Sequence, residues 1–126
     1  MRTADLSVYL VLDPDMCGGA RGMVLTALAA AQNGATIVQL RAPNWKKRAL
    51  VECGRELKKV LAPLGVPLII NDHADVCVAC DADGLHVGQK DLAPADARAI
   101  IGAERLLGLS VSCAQELDSV DTALVD

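Results

Sequence analysis

Pro67-Leu68-Ile69-Ile70-Asn71-Asp72 and Gly84-Leu85-His86-Val87-Gly88-Gln89-Lys90-Asp91 decide the fold of this chain. Each opens as a short aliphatic run and closes on an acid, and residues 74–80 between them form a short helical segment of small and apolar residues. A strand, a helix and a strand in that order make a crossover, so the two strands lie parallel. Parallel strands share one C-terminal rim, which is where α/β folds place their chemistry. Asp72 and Asp91 are therefore expected side by side, with Asn71 next to them. Two carboxylates on adjacent strand ends suit a hard divalent cation, which takes oxygen ligands, and a Mg2+ site is predicted there.

The same alternation runs outward in both directions. Upstream, residues 8–13 read as a strand, 23–33 as an Ala-rich helix stopped by Asn33-Gly34, and 36–41 as a second strand. Residues 45–64 place Leu50, Cys53, Leu57, Val60, Leu61 and Leu64 on one helical stripe, ended by Pro63 and Gly65. Downstream, residues 94–101 make a helix with Pro94 in its first turn, 106–110 a fifth strand and 114–124 a last helix. Gly18-Gly19-Ala20-Arg21-Gly22 matches neither the P-loop nor the dinucleotide fingerprint and is expected to be a mobile rim loop. The fold class is α/β with a parallel sheet, in one domain over residues 1–126. Five units suit an open doubly wound sheet or part of a (β/α) barrel, which has eight strands and about 200 residues or more. On the barrel reading the chain stops where a sixth strand is due, and its open strand edges favour self-association.

Apolar residues make up 52% of the chain, yet it has no Phe, one Trp (Trp45) and one Tyr (Tyr9), so the core must be aliphatic. That scarcity of aromatics and the net charge of −4 argue against a nucleic-acid binder, which stacks bases and presents a basic face. No apolar run has the length of a membrane span, and Met1-Arg2-Thr3-Ala4-Asp5 precedes too short an apolar stretch for a signal peptide. The expected compartment is the cytoplasm, with no membrane partner. Cys77-Val78-Ala79-Cys80 has C-x-x-C spacing, but it lies inside an apolar run with no second pair. It reads as two small buried helix residues rather than a redox or zinc site.

Gln39 and Arg41 lie two apart and so on one face of their strand. A guanidinium at a strand end can grip phosphate oxygens in a bidentate way; pairing with a rim carboxylate is the alternative. Lys46-Lys47-Arg48 open the long helix against its dipole, at about 0.3–1 kcal/mol each. An anionic substrate at the rim would compensate them, and a solvated basic turn is the other reading. Ser110 closes the fifth strand with a hydroxyl able to bind substrate, and no base adjacent to it marks it as a nucleophile. His86 shares a face with Gly84 and Gly88 and reads as a hydrogen-bonded interior residue, while His73 starts the short helix.

Val38-Gln39-Leu40-Arg41, Ile69-Ile70-Asn71-Asp72, the run from Ala82 to Asp91 and Gly108-Leu109-Ser110-Val111 together resemble, in order and spacing, the thiamine phosphate synthase family. The resemblance runs from about Tyr9 onward. It implies a (β/α) barrel of which five of eight units are present, and an enzyme joining a pyrimidine methyl diphosphate to a thiazole phosphate with Mg2+, releasing pyrophosphate. By position it implies that Asp72 and Asp91 bind the Mg2+, and that Gln39, Arg41, Asn71 and Ser110 contact the pyrimidine diphosphate. No protein nucleophile is implied. The family commonly has a Lys two positions after the Arg; this chain has Pro43, and Lys46 or Lys47 are the candidates to replace it. The loops that hold the thiazole phosphate in the family would follow Asp126. Two alternatives stand beside the synthase: a thiazole tautomerase-like barrel, which needs no metal, and a non-catalytic fragment. Retention of Asp72, Asp91, Asn71 and Arg41 favours the synthase.

Overall fold

The computed structural model describes residues 3–126; Met1 and Arg2, part of the N-terminal reading above, lie outside them. β1 (Tyr9–Leu12), β2 (Ile37–Leu40), β3 (Leu68–Asn71), β4 (Gly84–Val87) and β5 (Leu106–Leu109) pair in sequence order, every pair parallel. A doubly wound sheet reverses its strand order at a switch point. This order never reverses, so right-handed crossovers put all the helices on one face. The five units are wound as in a barrel, and the sheet is open.

The helices are α1 (Pro14–Cys17), α2 (Gly19–Gln32), α3 (Lys47–Leu61) with a 3-10 turn at Ala62–Leu64, α4 (Ala74–Ala79), α5 (Pro94–Ile101) and α6 (Ala114–Asp118). On the sheet's outer face Leu12, Val38, Leu40, Leu68, Ile70, Leu85, Val87 and Leu107 pack against Met23 and Ala27 of α2, Leu50, Cys53, Leu57 and Leu61 of α3, and Ala97 and Ile101 of α5. Burial of each large aliphatic side chain there contributes about 1.5–3 kcal/mol. Gly54 lets α3 approach α4, because a Cβ on it would stand 2.8 Å from Cys80 Sγ.

The alternate residues face the other way. Tyr9, Ile37, Ile69 and Leu106 line a bowl of about 510 Å3 on the inner face, with His86 toward its upper edge. Tyr9 is 37% exposed and Val11 47%, so this face is only partly covered. The β5 edge is not bare, contrary to the expectation of two unpaired edges. The Asp126 N–H donates to the Leu107 carbonyl at 2.9 Å, and its carboxylate accepts the Leu107 N–H at 2.9 Å. Arg98 of α5 binds the same carboxylate at 3.0 Å and the Leu124 carbonyl at 2.6 Å, fixing this pairing.

Three local expectations are corrected. Residues 18–22 are not a loop: Gly18 caps α1 in the left-handed region (φ 82°), and Gly19 to Gly22 form the first turn of α2. Gly22 is required, since a Cβ there would collide with the Cys17 carbonyl oxygen. α1 itself was missed, although Asp13-Pro14 signals it: Asp13 accepts the Asp15 N–H at 2.8 Å and Pro14 takes the first helical position. The last helix stops at Asp118 rather than 124, because Ser119 Oγ donates to the Glu116 carbonyl and Asp121 accepts the Ala123 N–H. Such side-chain bonds offer the backbone an alternative to helix. Cys77 and Cys80 are buried as expected, and burial pushes the Cys77 thiol up to about 12, far from a ligating thiolate.

Candidate active site

The rim is built where β3 and β4 end. Asn71 pairs with His86 in register, and the next residue, Asp72, donates its N–H to the His86 carbonyl at 2.8 Å. Asp72 has φ 65°, and the His73 N–H closes on the Asn71 carbonyl at 2.8 Å, two residues back. A three-residue turn with positive φ at its centre is rare and strained, and an L-residue in the left-handed region costs about 1–2 kcal/mol. Strain of this size collects at binding sites because the surrounding structure holds it in place.

Asp91 comes from the loop after β4. Its carboxylate accepts the Gly88 N–H at 2.8 Å, and a Cβ on Gly88 would stand 3.0 Å from that same oxygen. The Asp91 carboxyl stands close enough to Asp72 to act on its ionisation. Burial, then the hydrogen bond and charge of Asp91, raise the Asp72 carboxyl above its ordinary pKa; the charges of His73 and Arg41 oppose this. Asp72, Asp91 and Arg41 thus meet on one rim, with Asn71 beside them.

Gln39 and Arg41 lie at different depths. Gln39 is 5% exposed on the inner face, and its Nε2 donates to the Tyr9 hydroxyl at 3.0 Å. Arg41 lies just beyond β2 and is exposed at the rim. Of the basic turn, Lys47 pairs with Asp75 of α4 at 2.7 Å, while Lys46 is an exposed helix cap. The Lys47 charge is therefore partly met by the protein itself, and of the two candidates to replace the Lys at Pro43 only Lys46 stands clear of that pair.

Ser110 lies one residue past β5, and its Oγ is 2.8 Å from His86 Nε2. The expectation that Ser110 has no adjacent base is thus corrected; register brings together two residues far apart in sequence. The pair is still not built as a nucleophile and base. A base of that kind is oriented by a third group on its other nitrogen. The Nδ1 edge of His86 instead lies against Gly108, where a Cβ would come within 2.4 Å of it, and among the described residues no carboxylate hydrogen-bonds it. Burial also holds the His86 imidazole below its ordinary pKa. Gln89 was missed as well: its Nε2 donates to the Ser110 carbonyl at 2.8 Å. It lies in the run from Ala82 to Asp91, but nothing in that run alone assigns it a partner on β5.

The donor set fits a hard divalent cation. Among the described residues no group of three or more His, Cys, Asp or Glu side chains could hold a metal ion alone. Two carboxylates on one rim nonetheless match the partial oxygen shell that Mg2+ uses when a substrate phosphate and water supply the rest. A larger concavity of about 700 Å3 lies outside, between α2 and α3; Lys46 lines it, and the two acids, Arg41, Gln39, Asn71 and Ser110 do not. Among the described residues no helix is long and apolar enough to cross a membrane.

Singly wound (β/α) units gather acids, an amide, a guanidinium and a hydroxyl at the strand C-termini, the rim on which barrel-type folds carry their sites. The sequence model of a family described as thiamine monophosphate synthase matches residues 8–126, and the chain belongs to that family. It is 57% identical over 122 residues to the thiamine-phosphate synthase of Xanthobacter autotrophicus, an alignment covering 97% of this chain and 57% of that protein. It is 48% identical over 116 residues to that of Laribacter hongkongensis, covering 92% and 55%. Among solved structures it resembles thiamine phosphate pyrophosphorylase from Pyrococcus furiosus, with a TM-score of 0.82, 25% identity and coverage of 94% of this chain and 57% of that one. The chain spans 55–57% of the length of these relatives.

Proposed function

We propose that this chain is the N-terminal part of a (β/α)8 barrel, a single domain carrying the pyrimidine diphosphate and Mg2+ half of a thiamine phosphate synthase. The observation that carries this reading is that parallel β3 and β4 bring Asp72 and Asp91 to one rim, with Arg41 close enough to act on Asp72. A thiazole tautomerase has no diphosphate to hold through a metal and no need of such a pair.

On this reading Asp72 and Asp91 hold the metal, and Arg41 takes diphosphate oxygens at the open rim, where a planar guanidinium matches their geometry. Gln39, buried below Arg41, faces the part of the ligand that enters the bowl, while Asn71 and Ser110 reach it from the flanking strand ends. Bound there, Mg2+ would neutralise the diphosphate and stabilise the charge that grows on departing pyrophosphate. Arg41 adds to that stabilisation from the side. The pyrimidine itself carries the cation left behind, and the thiazole nitrogen attacks it, so the protein has to position and shield rather than form a bond. The reaction belongs to the cytoplasm, where thiamine is assembled from phosphorylated precursors.

Titration calorimetry of the chain with pyrimidine methyl diphosphate, with and without Mg2+, tests this reading. Mg2+-dependent binding is expected. Absence of binding at any Mg2+ concentration overturns it and favours the non-catalytic fragment.

A further inference from the structure

Every polar group of Ser110 is tied to residues 86–89. Its N–H donates to the Val87 carbonyl at 2.9 Å, its carbonyl accepts from Gln89 Nε2 at 2.8 Å, and its Oγ lies 2.8 Å from His86 Nε2. The segment that grips Ser110 also leads to Asp91, whose carboxylate is held by the Gly88 N–H. One strand end therefore fixes the serine and one of the two acids together. His86 is itself fixed: its ring lies against Gly108, directly across β5 in register, where any side chain would collide with it.

We propose that His86 is a positioning residue that aims the Ser110 hydroxyl at the diphosphate ligand. This rests on the function proposed above. A serine has one hydroxyl proton. If His86 Nε2 accepted it, Ser110 would turn a lone pair toward an anion and repel it. The hydroxyl serves an anionic ligand only when His86 Nε2 carries the hydrogen and donates to Oγ, leaving the serine proton free for the ligand. Gly108 supports this by keeping space for the ring, and Gln89 by holding the Ser110 backbone in place. In this role the imidazole acts through the Ser110 hydroxyl rather than on the reacting atoms.

The role separates from simple packing in a set of variants read by Mg2+-dependent binding of pyrimidine methyl diphosphate, with melting temperature followed in parallel. Ser110→Ala and His86→Leu should each weaken binding by about three- to tenfold, the worth of one hydrogen bond. The double variant should be no worse than either single change, because the two residues act through one hydroxyl. His86→Gln, whose amide can donate to Oγ from a similar reach, should recover most of the affinity. Gly108→Ala, which displaces the ring without removing it, should repeat the loss seen in His86→Leu. Additive losses in the double variant, or a His86→Gln as weak as His86→Leu, overturn the positioning role. So does full affinity in His86→Leu where Ser110→Ala is weakened; each of these leaves the proposed function standing. A wild-type chain that binds no diphosphate with Mg2+ overturns the function and the positioning role with it.

Discussion

Asp72 and Asp91 act on each other across the rim between β3 and β4, one carried by a strained turn and the other by a loop folded back on Gly88. Two acids held this way repel when both are ionised. The fold therefore contains a destabilising contact that a divalent cation would turn into an attraction. Asp72→Asn and Asp91→Asn are each expected to weaken Mg2+-dependent diphosphate binding by more than about tenfold, since even partners one layer out from a metal cost that much. Binding at wild-type strength in either variant, at ordinary Mg2+ concentrations, rejects the ligand assignment.

The same contact gives a pH dependence of definite sign. The folded chain holds the Asp72 proton more tightly than the unfolded chain does, so ionising Asp72 lowers stability at neutral pH. That loss is relieved as pH falls through the raised folded value toward the ordinary 3.8. His86 acts in the opposite sense: its contribution is present above 6.5 and fades as pH drops below it. The comparison of wild type with Asp72→Asn isolates the acid. Mg2+ should raise the melting temperature of the wild type more at neutral pH than near 3.8, and should do little to Asp72→Asn at either. An equal Mg2+ shift in both proteins tells against the coupling.

Arg41 is exposed beyond the end of β2, so it should serve the ligand and not the fold. Arg41→Ala should lose about 1.5–3 kcal/mol of diphosphate binding, the range for a charge-assisted hydrogen bond. Its unfolding free energy should stay within about 0.5 kcal/mol of wild type. A large drop in melting temperature with unchanged affinity would make Arg41 structural.

Asp72→Gly tests whether the turn is strained for the sake of the site. Glycine removes the left-handed penalty and the repulsion with Asp91, against a chain-entropy cost of about 0.5–1 kcal/mol. The net expectation is a stability equal to wild type or higher by up to about 1 kcal/mol, together with loss of Mg2+-dependent binding. A variant destabilised by more than about 1 kcal/mol shows that the carboxylate supports the fold.

The inner face makes a prediction about association. Tyr9 and Val11 of β1 are part-exposed apolar residues at an edge strand, while Asp126 and Arg98 cover part of the β5 edge. Self-association should therefore run through β1 and the bowl. In sedimentation velocity, Val11→Lys should shift the chain toward monomer, and Leu25→Lys on α2, where Leu25 is 56% exposed, should leave the distribution unchanged. The reverse pattern would move the contact to the helical face.

Much of this is legible in the sequence itself, because it rests on local periodicity. The aliphatic runs at 67–70 and 84–87, the stripe through Leu50, Cys53 and Leu57, and the acids closing each run fix strand, helix and rim. Parallel geometry then brings Asp72 near Asp91. Where side chains compete with the backbone, periodicity misleads: Asp13 and Pro14 start a helix early, and Ser119 and Asp121 end one. The choice between a doubly wound sheet and barrel-type units depended on strand order, which no single βα unit encodes. Only the tertiary structure placed His86 and Gln89 on Ser110, because a contact across β4 and β5 is set by register. Only it put Asp72 in the left-handed region: an Asp tolerates that backbone, but the surrounding sheet is what imposes it.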